Sequence, residues 1–189
     1  MISKPRYFND LLELQKVLDE EIGKNRNNGF VPRKRNVLDI LLAIDDEFQE
    51  WLRELPQEYN FKTWKQKLYS REKELEELTD ILFFFLQYSN VAPTIDRDNI
   101  EVVFNLNEIG KNEFESQGTS LNYLISKFKF NLWSEQTDFA FYDYMKIVYF
   151  RGFTRQDLLE TYWEKWQKNM TRINKDWVIH EWKRKERST

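Results

Sequence analysis

Apolar positions recur along most of this chain with the spacing of helices. Leu11, Leu14 and Leu18 share one face of a predicted helix from Asn9 or Asp10, either of them a fitting N-cap, to Ile22. Asn27-Asn28-Gly29 marks a loop over Asn25–Pro32. A second helix is predicted from about Asn36 to Leu55, closed by Pro56, then a loop from Gln57 to about Thr63, then a third helix from about Ser70 to Ser89. Helical spacing returns over about 119–132, 135–150 and 154–173, where Thr154 followed by Asp157 has the form of a capped start. Asn90–Gly118 is the least regular stretch: Ala92-Pro93-Thr94 breaks the pattern, and Ile100-Glu101-Val102-Val103-Phe104 has the composition of a short strand. The pattern predicts an all-α bundle in a single domain, 1–189, with 91–134 as a less regular, variable insert.

The second and third helices carry acids where apolar residues are expected. On a wheel of 100° per residue, Ile40, Leu41, Ile44, Phe48, Trp51, Leu52 and Leu55 fill one broad arc of the second helix. Glu47 stands at the border of that arc, with Glu50 and Glu54 just beyond it. In the third helix the run Ile81-Leu82-Phe83-Phe84-Phe85-Leu86 leaves no solvent face, which predicts a helix at the centre of the bundle. Glu77 and Asp80, one turn earlier, flank the direction of Phe84, so they point to a side the helix buries further along. Acid-x-x-acid pairs recur elsewhere (10/13, 74/77, 98/101, 135/138, 157/160), so placement rather than spacing is the signal. Two outcomes follow: a salt bridge with Lys73 on the same side, or four acids converging on a divalent cation. An all-oxygen ligand set selects Mg²⁺ or Mn²⁺, and Mg²⁺ usually accompanies substrate phosphates.

Composition removes much other chemistry. Cys is absent, so there are no disulfides, thiol nucleophiles or thiolate metal sites, and the single histidine, His180, rules out His-cluster metal sites. A net charge of −3 gives no reason to expect nucleic acid, and the basic run Lys183-Arg184-Lys185 reads as a solvated end. The N-terminus lacks the apolar stretch of a signal peptide, and the longest apolar run, Ile81–Leu86, is far short of a membrane span. The cytoplasm is the expected location, with no membrane partner.

Glu47-x-x-Glu50, 26 residues, then Glu77-x-x-Asp80 resembles the paired-acid signature of the all-α nucleoside triphosphate pyrophosphohydrolases. Within that superfamily the chain resembles the dimeric dUTPases, and their phage-type members in particular. Leu14-Gln15-x-x-Leu18-Asp19 is similar to an N-terminal element that usually ends in Asn, and Phe61-Lys62-Thr63-Trp64-Lys65 to a segment between the acid motifs. Tyr162-x-x-Lys165-x-x-x-Asn169-x-x-Arg172 is similar to a C-terminal element, with Trp166 in place of an Asn, Ile173 in place of a Gln, and Asp176-Trp177 in place of Gly-Tyr. The resemblance covers about 1–90 and 135–180.

It implies hydrolysis of dUTP to dUMP and pyrophosphate, with dUDP also accepted. It implies Mg²⁺ held by Glu47, Glu50, Glu77 and Asp80, with Glu47 orienting and deprotonating the attacking water. Lys62, Lys65, Lys165 and Arg172 become phosphate contacts and Trp64 a lid stacked on the base, or else an anchor of its loop in the core. Gln15, Asp19, Tyr162 and Asn169 become further substrate contacts, with Gln15 and Asn169 facing the uracil edge; Asp19, having no donor, leaves the choice between uracil and cytosine open. Glu74 and Glu54 read as solvated acids or as supports behind the metal ligands. Trp163, Trp166, Trp177 and Trp182 read as core or subunit interface, since the resemblance implies a homodimer. Two other readings remain: hydrolysis of dCTP or of several dNTPs, and an interaction module that uses 91–134 to bind a protein such as a phage repressor, in the host cytoplasm if the chain is phage-encoded.

Overall fold

Short polar side chains set the helix starts by taking the unpaired N–H groups of the first turn. In the computed structural model, which describes residues 2–24, 33–92, 97–105, 114 and 118–173, α1 spans Phe8–Lys24. Asp10 reaches back to the backbone N–H of Arg6 and Tyr7 at 2.8 and 3.0 Å, so neither Asn9 nor Asp10 is itself the cap. Asn36 caps α2 (Val37–Glu54) in a reciprocal box with Asp39. Ser70 caps α3 (Arg71–Val91). After α4 (Arg97–Asn105), Ser120 caps α5 (Leu121–Trp133), and α6 covers Thr137–Phe150. Thr154 and Asp157 form the predicted box ahead of α7 (Arg155–Arg172). The predicted loop Asn25–Pro32 and the basic run Lys183-Arg184-Lys185 lie outside the described residues.

Among the described residues every regular element is a helix. The strand-like stretch Ile100–Phe104 lies inside α4, which corrects the sequence reading. The reason is the burial period: Ile100, Val103 and Phe104 are buried while Val102 is 58% exposed. A half-buried strand would have covered 100, 102 and 104 instead. None of the described helices is long and apolar enough to cross a membrane.

α3 is the axis of the bundle, packed against α1, α2 and α7, while α6 packs against α4 and α5. Ile81, Leu82 and Leu86 are fully buried, as the run around them predicted. Phe85 joins the two groups of helices, with its ring 5.1 Å from Phe141, 5.6 Å from Tyr144 and 6.3 Å from Phe128. In α2 the predicted arc is the buried face, with Ile40, Ile44, Phe48 and Trp51 at 0% exposure.

Glu74 is not the solvated acid its position suggested. It is fully buried, and Arg151 at the end of α6 grips both its oxygens at 2.6 and 3.1 Å. The Trp51 indole N–H and the Tyr69 hydroxyl also donate to it, at 3.3 and 2.8 Å. Gly152 turns the chain after α6 at φ 72°, a conformation that suits glycine. There its carbonyl accepts from Arg71 of α3 at 2.6 Å. Removing one partner of a buried pair strands the other. Arg151→Leu is therefore expected to cost about 3–5 kcal/mol in urea unfolding; a loss below about 1 kcal/mol would assign the pair to solvent-screened surface chemistry instead.

Candidate metal centre and ligand site

The packing of α2 on α3 brings three acids together. Glu47 from α2 and Glu77 and Asp80 from α3 each offer one carboxylate oxygen, all within 4.8 Å of one another, and each side chain is half-buried. Burial pushes Glu47 up to about 7, helped by the charges of Asp80, Glu50 and Glu77. Glu77 is likewise pushed up to about 7, first by burial and then by Asp80, with Lys165 opposing. Burial also raises Asp80, against the opposing pull of Lys165. Lys165, from α7, donates to the Asp80 carboxylate and to the Glu76 carbonyl, the latter at 3.1 Å. The cation that answers Asp80 is thus Lys165 rather than Lys73. Glu50 is exposed and stands outside the converging group, although its charge bears on all three acids.

This donor set fits a hard divalent cation. It is all oxygen, it converges, it is partly dry, and one lysine does not balance three carboxylates. Among the described residues no other acids converge in this way. Glu54 lies behind the group and adds to the repulsion on Glu77. Its side chain is 16% exposed and pairs with Lys67, and its second oxygen is buried without a hydrogen bond. It is a covered acid, not a solvated one.

A polar network continues along the same face of α3, where Glu77, Asp80, Phe84 and Gln87 follow one another at helical spacing. Gln15 and Gln87 both donate to one oxygen of Asp19, at 2.9 and 2.7 Å. The buried Tyr162 hydroxyl donates to Gln15 at 3.1 Å, and Arg35 donates to Gln87 at 3.0 Å. Burial raises the Asp19 pKa, opposed by the bonds from Gln15 and Gln87 and by the charge of Arg35. The Tyr162 ring stacks on Phe83 at 4.1 Å, and the Arg35 guanidinium lies 5.2 Å from the centre of the Phe84 ring. Trp166 is buried with its N–H on the Leu14 carbonyl at 2.8 Å, next to Gln15, and it stacks on Trp163 at 5.4 Å. An indole there braces α1 against α7. Trp177 and Trp182 lie outside the described residues, as does Asp176.

The structure therefore brings Glu47, Glu77, Asp80 and Lys165 into one group and Gln15, Asp19 and Tyr162 into a second. It leaves others apart. Lys62, Trp64 and Lys65 lie on the α2–α3 connection, and none of them has a hydrogen bond or ion pair to the acids among the described residues. Trp64 is 77% exposed, which excludes a core anchor. Asn60 holds the start of this connection, donating to the Arg53 and Leu55 carbonyls at 3.2 and 3.1 Å, and Tyr69 holds its end on Glu74. Asn169 and Arg172 occupy the last two turns of α7. Sequence reasoning missed Gln87 and Arg35. Gln87 was open to discovery, since it shares the wheel face of Glu77 and Asp80; Arg35 lies before a helix cap and gave no signal.

A sequence model of the family described as dUTPase matches residues 7–177, running through 91–134 as well as the recognisable motifs. No curated protein matches the chain.

The raised acids set a pH dependence in metal-free protein. Folded Glu47 and Glu77 keep protons up to about pH 7, while ordinary glutamates release them near 4.5. Between those values the unfolded chain binds fewer protons, so stability falls as pH rises from about 4.5 to 7 and stays lowered above. In EDTA, Glu47→Gln is expected to melt about 2–4 °C above wild type at pH 8, with little difference at pH 5. Millimolar Mg²⁺ at pH 8 should reverse the order, because only wild type retains the full ligand set. Thermal melts at the two pH values check this, and an unchanged order with metal would count against the site.

Proposed function

We propose, on the premise that the chain belongs to the all-α dUTPase family and so hydrolyses dUTP to dUMP and pyrophosphate, that it also converts dUDP to dUMP and phosphate and works with Mg²⁺ at the α2–α3 acids. The observation that carries this reading is the convergence of Glu47, Glu77 and Asp80 beside Lys165. Glu47, Glu50, Glu77 and Asp80 would hold Mg²⁺, or Mn²⁺ in its place. When bound, the cation neutralises the phosphate chain and the charge that shifts along it during displacement.

The protein's own groups do the rest. Glu47, at the border between the apolar face of α2 and the acids, orients the attacking water and takes its proton. Lys165 approaches the same acids from α7 and contacts a phosphate oxygen; Lys62, Lys65 and Arg172 add charge and a bidentate fork to the phosphates. Trp64, already exposed, closes over the base by stacking, which excludes water from the reacting end. Gln15, Asp19, Tyr162 and Asn169 hold the nucleoside. The working unit is a homodimer, as the resemblance implies. One observation favours a second reading: Asp19 is an acceptor only, and it would also accept the amino group of cytosine, which makes dCTP a further substrate.

Pyrophosphate release from dUTP, dCTP and dTTP separates the two readings. Glu47→Gln is expected to lower kcat about 10²–10⁴-fold, the range for loss of a general base, with KM little changed. Glu77→Gln with Asp80→Asn should abolish both turnover and the Mg²⁺-dependent rise in melting temperature. Full turnover in that double variant would end the proposal.

A further inference from the structure

The network around Asp19 has a fixed direction. Arginine can only donate, so its bond to Gln87 assigns the Gln87 carbonyl to Arg35 and the amide N–H to Asp19. On the other side the Tyr162 hydroxyl occupies the Gln15 carbonyl, and the Gln15 amide turns to the same carboxylate oxygen. One oxygen of Asp19, Oδ1, is thereby clamped between two amides. Among the described residues no hydrogen bond reaches the other, Oδ2. The site thus presents a single open acceptor whose orientation is set from both sides.

Its place along α3 matters as much. Asp80 and Gln87 share a face two turns apart, about 10.5 Å along the axis at 1.5 Å per residue. Phe84 lies between them under the Arg35 guanidinium. Gln87, the α3 member of the clamp, thus stands on the order of 10 Å from the acids that would meet the phosphates, a span of the size of a nucleotide.

We infer that Arg35 and Gln87 are positioning residues for base selectivity: Arg35 orients Gln87, Gln87 with Gln15 pins one oxygen of Asp19, and the open oxygen accepts the N3–H of a uracil ring. This rests on the dUTP diphosphatase reading and deepens it. Cytosine has no hydrogen on N3, so a pinned acceptor there meets a lone pair. A carboxylate free to swing would find the neighbouring amino group instead. The clamp converts an ambiguous acceptor into a selective one, and rejection follows from leaving buried polar groups unpaired. Thymine carries the same N3–H, so the clamp does not act on the choice between uracil and thymine.

The test is steady-state kinetics with dUTP, dCTP and dTTP in Mg²⁺ for wild type, Gln87→Leu, Arg35→Ala and Arg35→Lys. Gln87→Leu is expected to lower the preference for dUTP over dCTP about tenfold, the effect of one hydrogen bond to a charged group, chiefly through KM for dUTP. Arg35→Ala should move in the same direction by less, and Arg35→Lys should recover part of it. The ratio of dUTP to dTTP and inhibition by inorganic pyrophosphate should stay at wild-type values. An unchanged dUTP/dCTP preference in both Gln87→Leu and Arg35→Ala would overturn the inference, and so would equal losses on all three nucleotides, which mark a merely structural role. Arg35 is exposed, so its variants decide the matter if Gln87→Leu does not fold. Wild-type protein without dUTP turnover would sink the parent reading and this one with it; normal wild-type selectivity with unaltered variants removes this one alone.

Discussion

A helix buried on every side must have each of its polar side chains answered by another element or by its own backbone. α3 approaches that state beyond its exposed first turn, and the rest of the structure is arranged around its answers. Thr79 and Ser89 turn their hydroxyls onto carbonyls one turn back, at 2.7 and 2.9 Å. Asn90 donates to the Leu12 carbonyl of α1. Glu74 takes Arg151 from α6, Asp80 takes Lys165 from α7, and Gln87 bridges Arg35 and Asp19. The answers that come from outside α3 fix α1, α6 and α7 against the axis.

Glu74 and Glu77 show how the same constraint yields two kinds of acid. They are three residues apart on one helix. Glu74 points to the end of α6, where a guanidinium, a phenol and an indole satisfy it completely, and it is structural. Glu77 points to α2, where it meets Glu47, and its carboxylate is left with repulsion that Lys165 relieves only in part. An unanswered charge in a half-dry cleft stores affinity for a cation. Among the described residues, the carboxylates around Glu77 are a polar demand of α3 that the neighbouring helices meet only in part.

The second polar group depends on the first through the rigidity of the helix. Because α3 is one unbroken helix from Arg71 to Val91, acids at one point and an amide two turns later stand at a set distance on one face. α7 follows the same path, with Tyr162 at the Asp19 end and Lys165 at the acid end. Two helices thus carry matched pairs of groups, one pair for charge and one for shape and hydrogen bonding. The Trp166 indole, standing where the resemblance led one to expect an amide, holds α7 to α1 so that these pairs stay in register.

Six of the seven helices, all but α4, and the central place of α3 were legible in the sequence, while the α1 cap offered at Asn9 or Asp10 was not borne out. Those features are local: Asn36, Ser70 and Thr154 announce helix starts, and the run Ile81–Leu86 leaves no face for solvent. Spacing on a helix also fixes direction, and three of the four motif acids converge while Glu50 stands exposed outside the group. The strand misread at Ile100–Phe104 marks the limit, because β-branched composition yields to burial period once a core is available. What only the tertiary structure decided was pairing. Nothing local tells Glu74 that Arg151, far along the chain, will neutralise it, or Glu77 that it will meet Glu47 of α2 with only partial relief from Lys165. Nor does it tell Asp19 that two glutamines and Arg35 will hold one of its oxygens. A carboxylate's chemistry depends on the charge and water within a few ångströms of it, and helices distant in sequence supply both.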